Sequence, residues 1–445
     1  MAKRTAFLAL AAALVILSCP QDTPDEDAGE TDVELAKDLM GMVHAGSRAE
    51  VTAEYTLLDE MGVEWMLKDF SWSSIQTDPN TWNIDAYKTY ADNAETNGKK
   101  ILAILDYDTD WVHGSKPPRG APYIEADEIP AFCEYVKRTV ERYRDRVDAW
   151  CIWNEPNLDD RFWSGTREEF YALTIAAAGA IREVAPNAVI VGGAFNTLVT
   201  DDWIEGIFTS GAMEKIDFIA YHPYAPNARG TGAVYKGFRD NVARYGFADK
   251  IWVTEAGYPT VRDEDLVNGR LPGGRYGTEV NIEDMPETVT KTISLLAAAG
   301  AKKIFWYHIF DPPASEQEAG DSEDWFGLVE DDYTKKKGAL AYALCAKYLP
   351  GKTWRHEGFP GAELPDSVTS CYFEGNDGSR CLVLWNESSV SSRTVNLVIS
   401  GTDRLLHNVA DGTNTAFSDG DYTLHPNNTR QQTLLFVTWK ADSGG

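Results

Sequence analysis

Short apolar runs separated by longer stretches of helical periodicity recur from residue 39 to residue 311, and this rhythm leaves the chain few folds to choose from. The runs read LMGMVHA (39–45), VEWMLKDF (63–70), KILAILDY (100–107), VDAWCIWNE (147–155), AVIVGGAF (188–195), DFIAYHPY (217–224), KIWVTEAGY (250–258) and KIFWYHIFD (303–311). Strands that alternate with helices pair in parallel, because each helix carries the chain back along the sheet. Between the runs lie SRAEVTAEYTLLDEMG, IPAFCEYVKRTVERYRDR and PETVTKTISLLAAAG, with capping or proline starts and Gly or Asn stops. Eight such units close a ring, so residues 36–350 are expected to form a TIM (β/α)8 barrel. Beyond Gly351 the helices stop. SVTSCYFEG, RCLVLWNES, RTVNLVIS, DYTLHP and QTLLFVTWK read as strands of a small antiparallel β-sandwich over 351–445, with a supporting role.

In a barrel of this kind chemistry gathers at the C-terminal ends of the strands. Glu155 closes the fourth run and Glu255 the seventh, so both side chains are expected at one central mouth. Two facing carboxyls suit a reaction in which one gives a proton to a leaving oxygen and the other meets the carbon left behind.

The words WNEPN on the fourth strand and TEAGY on the seventh resemble the retaining glycoside hydrolases of clan A. GVEWMLKDFSWSSIQ (62–76), ILDYDTDW (104–111), AYHPY (220–224) and FGLVEDDYTKKKGALAY (326–342) resemble most closely the family 39 members, which act on xylosides and on acidic exopolysaccharides. The resemblance spans about residues 36–350. It implies a retaining β-glycosidase with Glu155 as acid/base and Glu255 as nucleophile, Asn154 on the sugar 2-hydroxyl, and His222 and Tyr224 beside the nucleophile or a sugar hydroxyl. Glu155 would hold a proton while Glu255 stays ionised, the pair titrating as a coupled dyad. The chain departs from the family at Leu67, where members often carry an arginine; Lys68 is displaced by one and expected to face the other way.

Fourteen tryptophans suggest flat surfaces for sugar faces. Period-two geometry puts Trp306 and His308 on one side of the eighth strand, where they would line a subsite floor. Trp72, Trp111 and Trp163, each just past a strand, are expected either as sugar platforms or as anchors packed on the barrel rim.

The formal charge of −28 sets the chain against nucleic acid and anionic membrane surfaces. Seven scattered histidines and cysteines without paired close spacing argue against a metal site, and no cofactor motif appears. Cys371 and Cys381 flank a turn and are expected either as a cross-hairpin disulfide or as small buried apolar groups. Residues 1–19 read as an export signal: Lys3 and Arg4 precede an apolar stretch ending in Ile-Leu-Ser-Cys, which resembles a bacterial lipobox with Cys19 as the lipidated residue. Residues 20–35 are acidic and read as a flexible tether, giving an extracytoplasmic lipoprotein held to a membrane by its lipid alone. A polysaccharide or oligosaccharide is the expected substrate. The competing readings are a non-catalytic carbohydrate-binding lipoprotein and a transglycosylase using the same carboxylates.

Overall fold

The structure is a computed structural model and describes residues 31–116, 119–159, 161–261, 280–317, 321–426 and 433–442. Cys19, the export signal and most of the expected tether lie outside the described residues. Among the described residues no helix is long and apolar enough to cross a membrane.

All eight runs become strands: β1 (Met40–Val43), β2 (Trp65–Asp69), β3 (Lys100–Leu105), β4 (Ala149–Ile152), β5 (Val189–Asn196), β6 (Phe218–His222), β7 (Ile251–Ala256) and β8 (Lys303–Trp306). They pair in parallel in chain order, and β8 pairs back onto β1 to close the ring. Except for β5, the strands are shorter than the apolar runs, and residues at the ends of those runs leave the ladder to form the mouth. Helices start where the local chemistry offers partners for the first amides. Thr166 and Glu169 form a reciprocal capping box for Arg167–Val184, and a proline opens Ile129–Tyr143 and Met285–Ala298.

Alternation along the strands sorts two apolar layers. Val43, Leu67, Leu102, Ile104, Cys151 and Phe305 point into the barrel, whereas Met42, Met66, Ile101, Ile152 and Trp306 pack outward against the helices. Gly41 is required in the inner layer, since a Cβ there would stand 2.4 Å from the Phe305 ring. Leu67 lies inside, and Lys68 points to the outer side beside Ser47 and Tyr90, as strand parity expects.

The floor of the barrel is a polar clamp under an aromatic plug. Trp65 meets Trp252 edge-on at 5.3 Å. Asp38 accepts from the Trp65 indole at 3.1 Å and pairs with Lys100 and Lys303 at 2.5 Å each. Burial opposes the Asp38 charge, but the hydrogen bonds and charges of the two lysines overcome it and hold the carboxyl at about 2.

The sandwich sheet runs in the order Val33–Glu34, Thr353–Trp354, Val368–Glu374, Ser379–Asn386, Leu434–Lys440, Thr402–His407, Asn414–Ala416. A second ribbon pairs Arg393–Leu397 with Gly420–Leu424. One boundary therefore moves. Val33 and Glu34 belong to this sheet rather than to a tether, and Asp32 pairs with Arg355 at 2.5 Å. Thr353–Trp354, Thr402–His407 and Asn414–Ala416 are strands that the sequence pattern did not single out. One face of the sheet, with Cys371, Phe373, Cys381 and Phe436, joins the barrel's outer layer; the other, with Tyr372, Leu382 and Val437, forms the sandwich core. Cys371 opposes Val383 and Cys381 opposes Phe373, so the two cysteines are diagonal neighbours and remain free, buried thiols rather than a disulfide.

Because the folded Asp38 carboxyl lies below its ordinary value, its contribution to stability is complete above about pH 4 and is lost as pH falls toward 2. Asp38→Asn is expected to lower unfolding free energy by about 2 kcal/mol at pH 7 and by roughly half that at pH 3. Denaturant titrations of both proteins at the two pH values measure this; an equal loss at both would remove the charge clamp from the account.

Candidate active site

The backbone at the end of β4 explains how Glu155 reaches the mouth. After Ile152 the chain turns through left-handed conformations at Trp153 (φ 64°) and Glu155 (φ 45°), each of order 1–3 kcal/mol for a residue with a Cβ. The turn is held at both ends: the Trp153 amide donates to Leu105 and the Glu155 amide to Ala194, at 3.1 and 3.0 Å. It drops the Trp153 ring into the outer layer, edge-on to Trp163 at 5.1 Å, and lifts Asn154 and Glu155 over the barrel.

Around Glu155 the neighbouring strands converge. Its Oε1 accepts from Asn196 Nδ2, at the end of β5, and lies 2.8 Å from His222 Nδ1, at the end of β6. His222 Nε2 faces Thr254 Oγ1 on β7 at 2.9 Å, which leaves Nδ1 aimed at the carboxylates. Glu255 Oε2 accepts from the Tyr224 hydroxyl at 2.8 Å and stands 3.6 Å from the same His222 nitrogen. One oxygen of each glutamate and the His222 nitrogen all lie within 4.8 Å of one another. Three such atoms could in principle hold a cation, but each is engaged by the hydrogen bonds just described. A second acidic group, Glu125, Asp127 and Glu128, is bridged by Lys116 at 2.8–2.9 Å.

This packing sets the protonation. Burial pushes Glu155 up, yet the hydrogen bond and charge of His222, with Asn196 behind them, pull its carboxyl below the ordinary range. Glu255 is pushed up to about 7 by burial and by the charge of Glu155, against the pull of His222 and Tyr224. Burial lowers His222, but the two glutamates outweigh it and raise its pKa. Glu155 is thus held low and Glu255 high, the opposite of the expected order. The reason is geometric: His222 stands closer to Glu155 than to Glu255.

The other expected residues divide. Asn154 donates to the Tyr107 hydroxyl at 3.1 Å, and its buried Oδ1 has no hydrogen-bond partner among the described residues. His308 sits at the mouth beside His44, ring centroids 5.6 Å apart. Trp111 is half-buried on the rim, its indole donating to Gln76. Trp72 and Trp163 have no exposed surface and serve as anchors: Trp72 stacks on Tyr135, and Trp163 packs between Trp153 and Phe170. Trp306 is likewise fully buried, facing Tyr258 in the outer layer, and so lines no subsite. The inward position on that strand belongs to Phe305, and the residue that follows it to the mouth is Tyr307, whose hydroxyl donates to Glu323 at 3.3 Å.

Parity would have found further mouth residues. Asp69 continues the inward series Trp65, Leu67 on β2, and Asp106 continues Leu102, Ile104 on β3. The Asp106 carboxyl is fully buried, with neither oxygen hydrogen-bonded among the described residues, and burial plus the charge of Asp69 keep it protonated. Asn196 was hidden by the register shift between Gly192 and Phe195, which re-aims the end of β5.

Residues 131–249, which include Glu155, His222 and Tyr224 but end short of Glu255, match the family described as glycosyl hydrolases family 39. A β-xylosidase of Caldicellulosiruptor saccharolyticus is 38% identical over 96 residues, 20% of this chain and 19% of the relative. One from Geobacillus stearothermophilus is 31% identical over 98 residues, 21% of this chain and 19% of its own. The chain thus spans about a fifth of the length of the curated relatives it matches. In fold the likeness is longer. A family 39 glycoside hydrolase from Bacteroides cellulosilyticus superposes with a TM-score of 0.70 at 17% identity, covering 91% of this chain and 81% of that one. A monomeric β-xylosidase from Caulobacter crescentus gives 0.64 at 13% identity, covering 93% and 98%. In sequence across the segment bearing Glu155 and His222, and in fold across barrel and sandwich together, the chain resembles the glycosyl hydrolases of family 39.

Proposed function

We propose that the protein is a retaining β-glycosidase that hydrolyses the O-glycosidic bonds of a polysaccharide or its oligosaccharides by double displacement. The observation that carries this reading is the spacing of the two carboxylates, an oxygen of each lying within 4.8 Å of the other. Direct attack by a carboxylate needs about 5–5.5 Å between the pair, whereas an attacking water needs roughly 6.5–9.5 Å. The relatives named as β-xylosidases make β-xylosides the first substrates to try. The lipobox-like segment ending at Cys19 supports placing the enzyme outside the cytoplasm on a lipid anchor.

In the first step Glu155 gives its proton to the glycosidic oxygen as the bond from C1 to that oxygen breaks, and Glu255 bonds to C1. In the second, the Glu155 carboxylate takes a proton from water, the water oxygen bonds to C1, and the ester to Glu255 breaks. Asn154, with a free buried acceptor, suits the sugar 2-hydroxyl, a contact that strengthens as C1 becomes cationic. The proton that rests on Glu255 must reach Glu155 before the first step. His222 Nδ1, 2.8 Å from one carboxylate and 3.6 Å from the other, is the path. Sugar hydroxyls donating to Glu255 would favour its ionised form and drive that transfer.

Nitrophenyl β-xyloside is expected to be cleaved with the β-anomer appearing first in proton NMR. Glu155→Gln should cut kcat/KM roughly 10²–10⁴-fold, most for poor leaving groups that need the proton. Glu255→Gln should abolish turnover. First release of the α-anomer, or turnover surviving Glu255→Gln, would sink the mechanism.

The pH profile follows from the dyad. One proton must remain on the pair, and the last leaves near the raised Glu255 value, so kcat/KM should fall as pH rises above about 7. In His222→Gln neither carboxylate faces an imidazolium, so both should hold protons to higher pH and the acid limb of the profile should move upward. An unchanged profile would leave His222 without a role in the proton order.

A further inference from the structure

A continuous chain of side-chain contacts crosses the top of the barrel. It starts at Tyr107, just past β3, whose ring stacks on Phe162 at 5.7 Å and 11°. The Arg161 guanidinium lies 4.7 Å over the Phe162 ring and reaches Glu323 at 3.4 Å. Glu323 in turn accepts from the Tyr307 hydroxyl, one residue past β8. Arg161 and Phe162 belong to the loop that follows β4, and Glu323 to the loop that follows β8. In a ring of eight strands paired in chain order, β4 and β8 are diametrically opposed, so a contact between their loops spans the mouth.

We infer that the Tyr107–Phe162–Arg161–Glu323–Tyr307 arch is a specificity element that confines the cleft to the end of a glycan chain. The arch separates the ends of β1 and β2, with His44 and Asp69, from the ends of β5, β6 and β7. A sugar with C1 between Glu155, at the β4 foot of the arch, and Glu255 on β7 would have the arch between it and the β1–β2 side, where a polymer would need to continue. Both charges of the arch also stand close enough to the dyad to act on it: Arg161 favours the Glu155 carboxylate, and Glu323 helps to raise Glu255. The pairing is partly solvent-exposed, the Arg161 side chain at 44% and Glu323 at 27%, so it is worth at most about 1 kcal/mol and can open and re-form between turnovers. An arch this weak selects by geometry.

The inference rests on the glycosidase reading, and the test separates the two. Nitrophenyl β-xyloside, xylohexaose and soluble xylan are digested by the wild type, Arg161→Ala, Glu323→Gln and the swapped pair Arg161→Glu with Glu323→Arg. The wild type is expected to release only monosaccharide from all three. Either single variant should release internal fragments from xylan, raising the ratio of xylan to nitrophenyl xyloside turnover about tenfold or more. The swapped pair, which restores the contact with its charges exchanged, should return the ratio toward the wild-type value. Internal fragments from the wild type, or an unchanged ratio in both single variants, would overturn the arch while leaving the glycosidase intact. No cleavage of any of the three overturns the β-xyloside reading itself, and the arch with it.

Discussion

Two carboxylates buried within 4 Å of one imidazole nitrogen are an unstable thing to place inside a protein, and much of the barrel's upper half is arranged to make it tolerable. Removing an ionised carboxylate from water costs several kcal/mol even after relaxation. Here Asn196, His222, Thr254 and Tyr224, from β5, β6, β7 and the turn after β6, supply the donors and the positive charge that offset it. Apart from Thr254, which directly precedes Glu255, none of these partners is near Glu155 or Glu255 along the chain. They meet because parallel strands closed in a ring bring their C-terminal ends together, and the β6–β7 pairing in particular sets His222 beside Thr254.

The same arrangement explains why the charge state of the site is asymmetric. A histidine placed midway would hold both glutamates alike. Instead the left-handed turn at Trp153 and Glu155 brings one carboxylate 0.8 Å nearer, the difference between 3.6 and 2.8 Å, and that carboxylate takes most of the stabilisation. The strained turn therefore does more than raise Glu155 over the barrel; it sets Glu155 nearer to His222 than Glu255 is.

The fold was largely legible because each strand is a dense apolar run ending in a polar word, and because the helical stretches between them keep their own period. The meeting of Glu155 and Glu255 at one mouth was legible for the same reason. What escaped notice did so where strict alternation fails or was counted from the wrong residue. Trp306 looked like a mouth residue until the inner layer was anchored on Phe305, which needs Gly41 opposite it. Asn196 lay behind a register shift. Trp72 and Trp163 show the limit of composition: an aromatic ring just past a strand can face a ligand or plug the rim, and only its packing partners decide. The reversed proton order was beyond reach, since it rests on a difference of less than an ångström between two distances.

The short strand Val33–Glu34 has a mechanical meaning. It enters the chain ahead of β1, yet pairs with Thr353–Trp354, which follows the last barrel helix, Lys337–Tyr348. The two ends of the barrel are thus buckled together by a sheet that belongs to the other lobe, with Asp32 fastened to Arg355 beside the buckle. Fraying from either end of the barrel must first unzip the edge of the sandwich, and the barrel face under Cys371 and Phe373 is covered only while that sheet is whole. The C-terminal lobe is in this sense less a passenger than a belt, and a load applied at the N-terminal side of the chain would be taken up by the sandwich before any barrel strand felt it.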